Sequence, residues 1–449
     1  MSAPGCVYVP AGSRIATFAK TLAGLWRLGP LLDSPQSQAV GFGWHEEASQ
    51  LRAQVDEGRL AGAVVFADRP GPEGAGIPSR GWVSGVASFG PGLRVNGRFC
   101  LLDGTPAVRS SLGAHAVRDG RWMVVGADPE SSWGTLGDFW VLPALADFLI
   151  EVLDRPLVML PPLGWVRYDD LPGTAYHQVS GRDKGDKRVR RRIETVTKTF
   201  AEHGSPINLA LASRALVEGE EVGIEEVWPE SIEAVGEGIE AGALEPVCHG
   251  YLHLNTEAWA RGEVNPREFK DVDAVEAGRR IDVSMAWFER TLGVSPPTFV
   301  APTWAYSAGL IEALAERELP AWLPPRPGPL LDGPNGRETI SSGMDGLFRL
   351  DYGPFRALAM AGLPPSVVVH GGLFDMRAPL LRSPREAVTT ARLVLKRDLF
   401  RFPWVPGVRW VGAERLLERL RGHDQVEVHG DEVSNPAGFE VVVRGPVAR

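Results

Sequence analysis

Apolar and polar positions are organised in two different ways along this chain. In the first third the apolar residues fall in short clusters with no sustained strand–helix alternation. Residues 62–67 (GAVVFA) form an unbroken apolar run of the length of a buried strand. Residues 81–89 and 93–102 read as a hairpin around Gly-Pro-Gly at 90–92, and 122–126 as a further strand. Residues 45–58 have helical character, and 133–153 carry apolar positions at helical spacing. From about residue 155 the pattern changes to a regular alternation. Strands are predicted at 165–168, 207–212, 246–249, 298–301 and 366–370, with helices at 187–203, 231–241, 266–292, 308–318 and 384–400.

Such alternation implies an α/β fold with a mainly parallel sheet, closed or nearly closed into a (β/α) barrel. The expected organisation is a mixed α/β domain over 1–155, the barrel over 156–422, and a short β segment over 423–449. The pattern at 120–155 resembles the last part of a class I glutamine-amidotransferase-like or flavodoxin-like domain. Those amidotransferases need a Gly-x-Cys-x-Gly elbow, whereas Cys100 lies in Arg-Phe-Cys-Leu-Leu, so no glutaminase chemistry is expected.

Composition narrows the function classes. At 449 residues two or more cores are expected, and 44% apolar with 23% charged residues is ordinary for a globular chain. A net charge of −9 argues against a general nucleic-acid binder. No uncharged run approaches the length of a membrane span. The apolar stretch 15–26 is interrupted by Lys20 and makes a poor signal peptide. Cys6, Cys100 and Cys248 are odd in number and far apart, which implies no disulfide framework and fits a reducing, cytoplasmic setting. Fourteen Trp leave room for sugar stacking, although most Trp in any protein are core. Six basic residues between Lys184 and Arg192 could dock an anion, or simply solvate a helix start. Nothing in the sequence speaks to oligomeric state.

In an α/β sheet of this kind catalytic groups sit at the C-terminal strand ends, and polar residues stand there. Tyr168 leads into Asp169-Asp170, Cys248 into His249, Ala301 into Pro302, and three valines into His370. Histidines four apart, as in His249-Gly-Tyr-Leu-His253, lie on one face of a helical turn and can reach one metal ion; they can also be packed side chains beside a loop. Two adjacent carboxylates repel unless a cation or proton sits between them. A solvated Asp-Asp turn before Pro172-Gly173 and a strand-capping His370 are the plainer alternatives.

Together these residues resemble the polysaccharide deacetylase (NodB-homology, carbohydrate esterase family 4) superfamily, over about 160–420. Arg167-Tyr168-Asp169-Asp170 stands where that family has Thr-Phe-Asp-Asp, and His249-Gly250-Tyr251-Leu252-His253 where it has His-Ser/Thr-x-x-His. Val368-Val369-His370 approximates its Leu-x-His, while Val300-Ala301-Pro302-Thr303-Trp304 follows its Arg-x-Pro-x-Gly only at the proline. The resemblance implies a divalent metal, zinc foremost, on Asp170, His249 and His253, with Asp169 as general base and His370 as general acid. Pro302, Trp304 and Tyr306 would meet the substrate, a carbohydrate or related small molecule. The family's base-positioning arginine would fall at Val300, and its Asp-x-x-Asp-Trp run has no equivalent beyond Asp351 or Asp375. A catalytically silent domain that binds a glycan or partner is therefore the competing expectation. A glycosidase, which needs two carboxylates flanking a cleft, ranks last, because no pair other than Asp169-Asp170 stands out at the strand ends.

Overall fold

A computed structural model describes residues 5–67, 79–88, 94–127, 141–175, 185–202, 204–263, 266–323, 331–332, 338–341, 362, 364, 366–370, 407–429 and 432–445. The predicted helix at 384–400, and Asp351 and Asp375, lie outside the described residues. The chain divides into two compact units, Met1–Leu163 with Leu350–Pro365 and Glu418–Arg449, and Gly164–Arg349 with Ser366–Leu417.

The first unit is built on a sheet of β1 (Cys6–Tyr8), β2 (Leu31–Leu32), β3 (Ala39–Trp44), β4 (Gly62–Phe66), β5 (Ser79–Ser88), β6 (Arg94–Leu102), β7 (Pro106–Ser110), β8 (Gly113–Asp119) and β9 (Trp122–Val125). Its order is β2-β1-β3-β4-β9-β8-β6-β5, with β7 on β8. The members from β2 to β9 along this path pair in parallel, and the β5–β8 insertion continues the sheet antiparallel from β9. The parallel part has the 2-1-3-4-5 order of a doubly wound sheet. Cys100 sits in β6, within the antiparallel part and not on a turn that follows a parallel strand. The stretch around Lys20 forms α1 (Ala16–Leu25), with Phe18, Leu22 and Leu25 buried. α2 (Ala48–Asp56) buries Leu51 and Val55, and α3 (Leu142–Leu153) buries Leu145, Phe148 and Leu149. A last strand of this stretch, β10 (Leu157–Met159), is fully buried.

The second unit holds β11 (Leu163–Asp169), β12 (Ile207–Leu211), the hairpin β13 (Arg214–Val217) and β14 (Glu220–Gly223), β15 (Leu244–Cys248), β16 (Phe299–Val300), β17 (Ala321–Leu323), β18 (Leu331–Asp332), β19 (Glu338–Ser341), β20 (Ser366–His370) and β21 (Arg409–Trp410). The main sheet runs β18-β19-β17-β16-β15-β12-β11-β20, with β21 also on β11. All its pairings from β19 to β20 are parallel, and β18–β19 is antiparallel. Among the described residues the sheet ends at β20 on one side and at β18 on the other, so the closed barrel expected from the alternation is not seen. β11 carries the core: all seven of its residues are buried.

α4 (Asp186–Glu202) presents Val189, Ile193, Val196 and Phe200 to the core, a 4-3-4 spacing that makes one stripe of a helix. This explains the basic run. Arg190 pairs with Glu194, Glu233 and Glu237, while Lys187, Arg188 and Arg191 point to solvent. α5 (Pro229–Glu240) packs beside it. α6 (Ala274–Leu292) starts eight residues later than predicted, because Asp273 caps it by accepting the Glu276 N–H at 2.9 Å. The preceding residues are held instead in a loop. α7 (Ala308–Glu316) is capped in the same way by Ser307. Five Trp (26, 44, 165, 228 and 287) are fully buried core residues, which removes them from any sugar-stacking role.

The chain ends with the antiparallel pair β22 (Glu427–His429) and β23 (Glu432–Ser434), then β24 (Val442–Arg444), which pairs antiparallel with β10. Val158, Val426 and Val428 share one small apolar cluster there. No helix among the described residues is long and apolar enough to cross a membrane.

Candidate metal centre

Parallel pairing brings the C-terminal ends of β11, β12, β15, β16 and β20 to one edge of the second unit's sheet. Register then decides which residues meet: Asp169 lies opposite His370, and Leu211 opposite Cys248. Just beyond β11 the backbone of Asp170 turns left-handed (φ 65°), a conformation Asp tolerates better than most residues.

His249 follows β15 directly, but 249–253 is not a helical turn. It is a bent loop, with Gly250 at φ 81° and His253 at φ 62°. The expected convergence of the two imidazoles is present, and the reason for it differs. His249 Nδ1–H donates to the Val300 carbonyl at 3.0 Å, which leaves the Nε2 lone pair facing Asp170. Asp170 Oδ1 lies 3.2 Å from His249 Nε2 and 3.1 Å from His253 Nε2. The two rings meet edge to face, with centroids 4.9 Å apart. One ligand atom from each residue falls within 4.8 Å of the other two. Two imidazole nitrogens and one carboxylate oxygen form a donor set suited to a divalent transition ion, with positions left for water and substrate. Burial pushes His253 down, but Asp170 and Glu268 outweigh it, and the ring sits above the ordinary histidine range.

Asp169 is 1% exposed and is gripped by Arg167. Arg167 Nε donates to its Oδ1 at 2.6 Å and Nη2 to its Oδ2 at 2.8 Å. Two residues apart on a strand, the two side chains share a face, so this fork–fork pair is local. Val300, where the resemblance places an arginine, contributes its carbonyl to His249 instead. The arginine of this site comes from inside β11. The spacing Arg-x-Asp at the end of an apolar strand was the signal available for it.

The remaining candidates divide. Pro302 is buried against the histidine loop, its Cγ 2.7 Å from where a Cβ on Gly250 would stand. Tyr306 is half-buried, and its hydroxyl accepts the Ala301 N–H at 3.1 Å. Burial raises the Tyr306 hydroxyl's pKa, with Arg167 and Asp169 acting on it in opposite senses. Trp304 lies in the turn Pro302–Trp304, and His370 at the end of β20.

No protein-family model matches the chain. No curated protein matches it either. Among solved structures it is similar to a family 4 acetyl xylan esterase from Clostridium thermocellum in complex with a cobalt ion, at 14% identity and TM-score 0.30, over 57% of this chain and 90% of that one. A CE4 family pseudoenzyme from Bacillus anthracis matches at 11% identity and TM-score 0.31, over 58% and 66%. A 4-alpha-glucanotransferase from Thermococcus litoralis matches at 14% identity and TM-score 0.37, over 57% and 40%. These three differ in activity, so the function of the present chain rests on its own side chains.

Proposed function

We propose that this chain is a metal-dependent hydrolase that removes an acyl group, N-acetyl foremost, from a carbohydrate or related small molecule. The observation that carries the reading is the convergence of Asp170, His249 and His253 at the C-terminal sheet edge, with Asp169 next to Asp170 in sequence. A divalent ion held by these three, zinc foremost, would polarise the acyl carbonyl and acidify a water. Asp169 takes the proton of the attacking water, and Arg167 orients its carboxylate. As the acyl C–N bond breaks, His370, opposite Asp169 in the β11–β20 register, gives the departing nitrogen its proton. Pro302, Trp304 and Tyr306 border the substrate.

The competing reading, a silent domain that binds a glycan or partner, draws on Arg167 engaging both oxygens of a nearly inaccessible Asp169. Elemental analysis of the purified protein and of His253→Ala, followed by hydrolysis assays on N-acetylated sugars with Asp169→Asn, separates the two. A hydrolase binds a stoichiometric ion that His253→Ala loses, and Asp169→Asn stops turnover while retaining the ion. A metal-loaded protein that hydrolyses no acylated substrate supports the silent reading.

A further inference from the structure

The two imidazoles meet one carboxylate oxygen although the backbone between them is irregular. His249 is anchored through its own Nδ1–H. His253 holds a left-handed backbone that is unfavourable for a non-glycine residue. The bracing comes from Glu268, fifteen residues further on and 0% exposed. Its Oε1 accepts the Tyr251 N–H at 2.8 Å and its Oε2 accepts the His253 N–H at 2.6 Å. One carboxylate thus ties down two successive odd positions of the histidine loop from behind.

The surroundings are shaped for this contact. A Cβ on Gly250 would stand 2.6 Å from Glu268 Oε2, so residue 250 must lack one, and its φ of 81° also favours glycine. The Gly250 carbonyl accepts from Ser284 Oγ at 3.1 Å, and Ser284 is in turn hydrogen-bonded to Ser213 at 2.9 Å. Arg280 fixes the backbone at Glu268 by donating to its carbonyl at 2.7 Å. An enclosed carboxylate is costly to bury unless its oxygens receive donors; here the donors are amides of the segment that carries His253. Changing a group that orients the ligands of a metal site typically costs about 10–100-fold in affinity.

We infer that Glu268 is the positioning residue of the metal centre: it sets ion affinity and geometry by fixing the His253 backbone, with Gly250 kept open for its carboxylate. This rests on the reading of Asp170, His249 and His253 as metal ligands.

The test is titration of the full-length apoprotein with cobalt(II), followed by its visible absorption, for wild type, Glu268→Gln, Glu268→Asp and Gly250→Ala. Thermal midpoints of the apoproteins are measured alongside. Glu268→Gln turns an N–H2 toward one of the amides and is expected to weaken cobalt binding about 10–100-fold and to alter the absorption. Glu268→Asp keeps the charge but is a methylene short, and should recover part of the affinity. Gly250→Ala leaves every polar group in place and should still weaken binding by displacing the carboxylate. If Glu268→Gln does not fold, the other two variants decide. Lowered thermal midpoints with wild-type cobalt affinity and absorption in all folded variants would overturn the inference while leaving the metal centre intact. A wild-type protein that binds no cobalt would overturn both.

Discussion

In the first unit His115 and His423 are enclosed beside a hydroxyl and a carbonyl: His115 Nε2 lies 2.5 Å from Ser110 Oγ, and His423 Nε2 lies 3.3 Å from the Val158 carbonyl, with the Arg27 charge adding to the effect of burial. Burial drives both down to about 4. In the second unit His249 and His253 are about as deeply enclosed, at 3% and 6% exposure, but both face Asp170, and His253 moves above its ordinary range. Burial alone makes an imidazole a neutral packing element. Burial against a carboxylate makes it part of a polar site. The carboxylates diverge in the same way. At the end of β3 in the first unit, Glu47 Oε2 is taken up by Ser13 Oγ at 2.7 Å and the Trp44 N–H at 2.6 Å. At the end of β11 the left-handed turn at Asp170 aims its oxygen at two ring nitrogens instead.

The sharpest way to break this contrast is to remove one histidine from each unit. His253→Ala is expected to abolish stoichiometric metal binding, whereas His115→Ala should leave metal content unchanged; elemental analysis reads both. Next in size, Asp169→Asn should keep the ion and lower hydrolysis about 10²–10⁴-fold, the usual range for a general base. Steady-state rates on an N-acetylated substrate, with metal content as control, decide this. Retained turnover would remove Asp169 from the chemistry.

Arg167→Met strands a buried carboxylate and should cost the second unit about 3–5 kcal/mol, read from urea unfolding. A loss below about 1 kcal/mol would place the pair in the range of exposed ion pairs, against its 0% exposure. The smallest effect per step, one pH unit, concerns the neutral histidines of the first unit. Their folded pKa values lie near 4, below the ordinary 6.5, so between these limits the unfolded chain binds more protons. Their contribution to stability is complete above pH 6.5 and falls as pH drops toward 4, by about 1.4 kcal/mol per pH unit for each. Urea midpoints over this range should show a slope that His115→Gln reduces by one histidine's share.

Much of the second unit was legible because its signals are local. β12, β15 and β20, like α4, α5 and α7, lie within a few residues of their predicted bounds, since apolar period and capping residues act over short distances. β17 to β19 and the β13–β14 hairpin escaped prediction: they are two to four residues long, too short to show a period. β3 was missed because its glycines interrupt the apolar run; they are needed where Leu51 and Leu60 approach Gly41 within 2.8 Å of a would-be Cβ. The helix start predicted at 266 failed because Glu268 has an inward role that no helical pattern reveals.

The sequence by itself determined the alternating α/β character of the second unit, the strand ends that carry Asp169, Asp170, His249 and His370, and the acidic balance that argues against a general nucleic-acid binder. Those properties reside in period, spacing and count, which a linear chain displays. Only the tertiary structure decided that His249 and His253 meet through a left-handed loop, that Arg167 grips Asp169, and that Glu268 braces the loop from behind. Each of these depends on backbone dihedrals, or on side chains brought together from separate segments, and pairwise geometry of that kind is set by packing.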